Sequence, residues 1–156
     1  MEGLSGTRVE LENGSVAWWP CHLGTGAEIG ANCSIGALSH VGRFVLIGDN
    51  CRLQGGCYIS DESVLDDDVF IGPNATIIND RHPPSKGMWS PVEIGKGAVI
   101  GGGATVVAGI TIGERAVLAA GATATISIPA NEVWGGVPAK FLMTREQYES
   151  RRGNDG

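Results

Sequence analysis

The chain is predicted to fold as an all-β solenoid of hexapeptide coils, and three observations carry the prediction. An aliphatic residue recurs every sixth position at Leu23, Ile29, Ile35, Val41, Ile47, Leu53, Ile59, Leu65, Ile71 and Ile77. It returns, shifted by one residue, at Ile94, Ile100, Val106, Ile112 and Leu118. Four residues after each stands a small or slim partner: Ala27, Cys33, Ser39, Val45, Cys51, Cys57, Ser63, Val69 and Ala75, then Ala98, Ala104, Ile110, Ala116 and Ala122. Glycine follows many of the aliphatics, among them Gly24, Gly30, Gly42, Gly72 and Gly101, and suits a corner. A period of six gives one short strand and one tight turn per repeat. Three repeats close a coil, so residues 18 apart stack at about 4.8 Å. A helix would instead space its apolar residues by three and four, and this density of Gly and β-branched side chains disfavours one.

Residues 1–16 read as a polar lead-in. The coils begin with Ala17-Trp18-Trp19-Pro20-Cys21-His22, in phase with the later repeats, and run over 17–78. After Ile77 the beat stops. Residues 79–91 hold Pro83, Pro84, Pro91 and Gly87 and cannot continue a strand pattern, so they leave the solenoid as a loop. Loops on rigid scaffolds often carry function, and this one is polar, charged and aromatic at once. Coils resume over 92–139, making about six in a single domain. In the terminal segment 140–156, Thr144 and Gln147 have the form of a capping box, which predicts a short helix from Arg145 to Arg152. That helix would cover the open sheet edge of the last coil. The tail, 153–156, is expected to be disordered.

A net charge of −6 disfavours nucleic acid as partner. The charge is uneven: residues 1–80 hold 3 basic and 11 acidic side chains, whereas 81–156 hold 8 and 6. A polyanionic ligand is therefore expected to meet the second half. The N-terminus lacks an export-signal pattern and no apolar run reaches roughly 18 residues, so a cytoplasmic protein without a membrane span is the expectation. All four cysteines, Cys21, Cys33, Cys51 and Cys57, fall at the slim inward position and read as reduced core residues. His22, His40, Tyr58 and Thr76 form one column of surface or subunit-contact residues. No zinc site is expected from the three histidines. Asp66-Asp67-Asp68 reads as a solvated corner, and Gly101-Gly102-Gly103 lacks the following Lys-Ser/Thr of a phosphate loop. Trp89 and Trp134 suit packing or a subunit cleft.

The hexapeptide beat, the looped interruption and the terminal Gly136-Val137-Pro138-Ala139-Lys140 together resemble the left-handed β-helix acyltransferases. That resemblance supplies the left hand, because parallel crossovers are normally right-handed and the period alone does not set the sign. It also implies a homotrimer that uses acetyl-CoA as co-substrate. Within the superfamily, Trp18-x-x-Cys21-His22 and Val69-Phe70-Ile71-Gly72-Pro73-Asn74 leading to Asn79-Asp80-Arg81 are similar to the sugar-nucleotide amine N-acetyltransferases. Those enzymes acetylate an amino group on a nucleotide-linked sugar for surface polysaccharides. The resemblance makes Asn79, Asp61 and His82 the catalytic candidates, with Asp80, Arg81 and Lys86 on the substrate side. Spacing adds that Asp61 lies 18 residues before Asn79, so the two side chains are expected to converge. For the coenzyme, Gly102 and Ala120 stack at the same spacing and offer backbone groups to the pantetheine arm. Thr125 and Lys140 match positions nearer the nucleotide, where Lys140 would meet phosphate as a point charge.

His82-Pro83 also resembles the His-Pro of the sugar and thiogalactoside O-acetyltransferases, in which the His is the general base. The difference is chemical. A hydroxyl needs a base to take its proton, whereas an amine of pKa about 8 is substantially free at neutral pH. A non-catalytic hexapeptide scaffold fits the repeats alone, but the loop and the terminal motif favour the enzyme.

Overall fold

The computed structural model describes residues 3–154. The hexapeptide segments form short strands that stack into three sheets of nine, six and five strands. Only the two outermost strands of the nine-stranded sheet pair antiparallel. The three faces therefore hold seven, six and five parallel strands, which makes six to seven turns. Partners on adjacent turns are 18 residues apart, as with Val64 beside Leu46. Across the loop they are 29 apart, as with Val64 beside Glu93, so the excursion inserts 11 residues without breaking the stack.

Every recurring aliphatic from Ile35 to Leu118 is buried at 5% exposure or less. Their slim partners, from Cys33 to Ala122, are buried beside them, and only the first coil, with Leu23, Ala27 and Ile29, is half-covered. Each buried Ile or Leu contributes about 1.5–3 kcal/mol, and the repetition of that contribution holds the coil.

The glycines after the aliphatics do not make the corners. None of Gly24, Gly30, Gly42, Gly72 or Gly101 has a positive φ. They permit close stacking instead: a Cβ on Gly42 would meet the Asp61 backbone nitrogen at 2.5 Å, and one on Gly101 would strike that of Ala120. The left-handed corner residue comes two places later. It is Gly26, Asn32, Leu38, Phe44, Asn50, Gly56, Glu62, Asp68 and Asn74 before the loop, and Gly97, Gly103, Gly109, Arg115 and Gly121 after it.

Both ends are capped. The lead-in contains a strand, Thr7–Glu10, that pairs antiparallel with Val16–Trp19. At the other end Lys140–Thr144, part of the segment read only as helix and tail, is a strand that pairs antiparallel with Glu132–Gly135. The helix follows as Arg145–Arg151, with the Thr144–Gln147 capping box formed. Arg145 fastens it: the buried guanidinium donates to the carbonyls of Gly97 at 3.2 Å and Arg115 at 3.0 Å, and to Glu149 at 3.0 Å. Of the expected disordered tail, Gly153 and Asn154 form a turn, and Asp155 and Gly156 lie outside the described residues. Among the described residues no helix is long and apolar enough to cross a membrane.

Candidate functional site

Three corner columns run along the solenoid, one between each pair of sheets. Between the nine-stranded and six-stranded sheets the residue two places after the inward one is Trp19 in the first coil and small or cyclic thereafter: Ala37, Gly55, Pro73, Gly102, Ala120 and, after Trp134, Gly136. Gly102 and Ala120 stack as expected, and the Gly102 carbonyl accepts from Gly121 at 2.9 Å. Among the described residues, the N–H groups of Gly102 and Ala120 have no protein acceptor. The ridge ends near Lys140, which is exposed and opposite Gly135.

On the far edge of the six-stranded sheet, the corner column reads Thr25, Arg43, Asp61, Asn79, Ala108 and Ile126. Here the loop leaves. Ser90 closes its base by donating to the Asn79 carbonyl at 2.7 Å. Asp80 organises it, accepting from the backbone of His82 at 3.1 Å and of Ser85 at 2.9 Å. Arg81 clamps it to later coils through the carbonyls of Ala108 at 3.1 Å and Thr125 at 3.4 Å. Asp80 and Arg81, read as substrate contacts, are thus committed to loop structure. The half-buried Asn79 amide and the exposed His82 imidazole make no side-chain hydrogen bond among the described residues. His82, Lys86 and Ser85 line a cavity of about 410 Å³ within the loop. Ser85 was missed in the sequence, although its hydroxyl is buried without a partner.

Asp61 shares its column with Asn79, but the predicted convergence is absent. Its carboxylate turns back to the preceding coil, accepting from the Arg43 backbone at 2.8 Å and from the guanidinium at 2.9 Å and 2.7 Å. Burial works against ionisation there, yet the Arg43 hydrogen bonds and charge prevail and hold the carboxyl below its ordinary range. Asp49 and Asp67 do the same for the backbone of Ala31 and Asp49, each at 2.8 Å. Corner aspartates on this fold therefore satisfy the N–H one coil back. Thr125 lies on the loop's edge of the six-stranded sheet, across from the Gly102–Ala120 ridge, and its carbonyl accepts from Arg81 at 3.4 Å.

The six-stranded sheet between these edges carries the histidine column. The rings of His22 and His40 stack at 4.6 Å, and those of His40 and Tyr58 at 4.7 Å. Burial and the adjacent His22 push the His40 pKa down, with Asp61 opposing. All four cysteines are free; Cys33, Cys51 and Cys57 are buried and Cys21 is half-buried. Burial raises the Cys57 thiol. No grouping of three metal-ligating side chains occurs among the described residues.

Comparison with known proteins identifies the family and the fold, while the relatives differ in acceptor. The family described as bacterial transferase hexapeptide (six repeats) matches residues 26–61, 44–79 and 91–125. YJL218W of Saccharomyces cerevisiae, a candidate acetyltransferase, is 34% identical over 122 residues, 72% of this chain and 62% of its own length. The galactoside O-acetyltransferase of Escherichia coli is 32% identical over 117 residues, 70% of this chain and 55% of its own. This chain thus spans little more than half the length of these curated relatives. Among solved structures, AntD, an N-acyltransferase from Bacillus cereus in complex with dTDP-4-amino-4,6-dideoxyglucose and coenzyme A, aligns with a TM-score of 0.76. It is 16% identical, over 90% of this chain and 86% of that one.

Proposed function

Since this chain belongs to the bacterial transferase hexapeptide family, we propose that it is an acetyl-CoA-dependent acetyltransferase whose acceptor is the amino group of a nucleotide-linked amino sugar. One observation carries the reading. The loop that presents Asn79 and His82 is clamped by Arg81 onto the coil edge at Thr125, so uncommitted polar groups are held on a rigid frame. The fold is that of an N-acyltransferase solved with an amino-sugar nucleotide and coenzyme A.

The coenzyme fits the ridge. Its slim residues leave room for a linear arm; a Cβ on Gly102 would make only ordinary contact with Pro73, at 3.4 Å. The unpaired N–H groups of Gly102 and Ala120 suit an amide-bearing chain, with Lys140 at the phosphate end. When bound, acetyl-CoA supplies the activated thioester. The protein's part is then positioning: Asn79 orients the acceptor, the loop excludes water, and effective molarities of about 10⁵–10⁸ M are available to a well-aligned amine. His82 has no orienting hydrogen bond on its ring among the described residues, which suits an amine that needs no obligatory base. Asp61 acts one coil back, holding the Arg43 corner of the same column.

The O-acetyltransferase reading draws on the 32% identity to the galactoside enzyme and would make His82 the general base. Thiol release from acetyl-CoA, measured on a panel of nucleotide amino sugars and their hydroxyl counterparts, separates the two. Turnover confined to the hydroxyl compounds would overturn the amine assignment.

A further inference from the structure

We propose that the cavity within the loop is a phosphate subsite, built from Lys86, Ser85 and His82, that holds the diphosphate of the acceptor. The proposal rests on the nucleotide-sugar reading above and adds to it the residues that would recognise the charged half of the substrate.

Four features point there. The cavity of about 410 Å³ is lined by Arg81, His82 and Lys86, with no carboxylate in its wall. The nearest acid, Asp80, is occupied on both oxygens by the backbone N–H groups of His82 and Ser85. The Ser85 hydroxyl is shut away from solvent without a hydrogen-bond partner, an uncommon state for a buried polar group and one that its rotation toward a phosphate oxygen in the cavity would relieve. Lys86 and Gly87 both hold left-handed backbone, φ 55 and 98. Gly87 adopts that region freely, whereas Lys86 carries a modest strain of the kind found at ligand clamps as well as at turns. The larger open groove on the five-stranded sheet, about 490 Å³, is bordered by Glu28, Asp66 and Glu93 and would repel an anion. Lysine on a flexible stem, with one hydroxyl beside it, matches phosphate met as a point charge.

Calorimetric titration of the full chain with inorganic pyrophosphate tests the subsite. Binding is expected to the unmodified protein, to weaken with salt, and to fall about tenfold or more in Lys86→Asn, which keeps a residue tolerant of the left-handed turn. Lys86→Arg should stay within about threefold and Ser85→Ala should lose a few-fold. Coenzyme A titrated into the same variants should bind unchanged, which establishes that they are folded. No pyrophosphate binding, or equal binding by Lys86→Asn, overturns the proposal. In steady state Lys86→Asn should raise KM for the nucleotide amino sugar. A rise for acetyl-CoA instead would assign the phosphate to the coenzyme and overturn the acceptor assignment. Pyrophosphate binding with no acetyl transfer to any amino sugar would leave the subsite standing and remove the function it was drawn from.

Discussion

At the residue scale, two groups with similar prominence in the sequence have different roles in the fold. Asn79 is free to meet a ligand, whereas Asp61 is spent on Arg43. Asn79→Ala is expected to cost activity about 10²-fold or more through lost orientation, while His82→Ala should cost less than about tenfold. A general base is worth about 10²–10⁴-fold, so a loss of that size at His82 would favour a hydroxyl acceptor. Asp61→Ala should chiefly weaken the fold, by about 0.5–1.5 kcal/mol for a lost hydrogen bond, with the acceptor KM little changed. pH gives a further check. His40, stacked between His22 and Tyr58 and facing Asp61, has a depressed pKa, so near and below pH 6.5 the unfolded chain binds more protons. Stability therefore falls as pH drops through that range. The low pKa of Asp61 continues the loss below the ordinary carboxylate range. Thermal unfolding from pH 8 to 5 should show Tm decreasing, with a flatter profile in His40→Gln.

At the scale of elements, the two classes of glycine make opposite predictions. Gly101→Ala places a methyl against the next coil's backbone at Ala120, a clash that nothing flexible relieves, and should destabilise by more than the 1–3 kcal/mol of ordinary overpacking. Gly103→Ala meets nothing within 4 Å but keeps φ +66, so about 1–2 kcal/mol is expected. Denaturant titration of the pair checks both, and equal effects would mean the stacking is looser than described. The same contrast shows what was legible beforehand. The inward phase was readable, because Ile71 and Cys51 repeat a chemical type every six residues. The left-handed corner was not, because Asn74, Glu62, Leu38 and Phe44 share a backbone angle and no side-chain chemistry. The terminal strands escaped notice since Thr7–Glu10 and Lys140–Thr144 take antiparallel partners at the edges of the stack, outside the beat. The loop's position was evident from the broken period, and Asn79 was singled out by the resemblance to the N-acetyltransferases. The engagement of Arg81 with Ala108 and Thr125 was not, since those partners are backbone carbonyls brought near by an insertion of 11 residues.

At the scale of the whole molecule, a single copy holds the two halves of the proposed site apart. The Gly102–Ala120 ridge and the loop with Asn79 border opposite edges of the six-stranded sheet, so the amine and the thioester would not meet on one chain. A second copy brings them together if its ridge faces the first copy's loop. Leu38 and Phe44 fit such an interface: each is a large apolar residue in left-handed backbone, 73% and 55% exposed. A ring closes such head-to-tail contacts, and a homotrimer is the expected ring, with a mass about three times the 16.2 kDa of the chain by light scattering. Complementation tests whether the site is shared. Asn79→Ala disables the loop and Gly102→Phe obstructs the ridge, so each variant alone should be nearly inactive. Co-expressed in equal amounts and assembled at random, they restore an intact loop facing an intact ridge at about one interface in four. Recovery of about a quarter of the unmodified activity is therefore expected. A mixture as inactive as its components, or a stable monomer with full activity, would place the whole site on one chain.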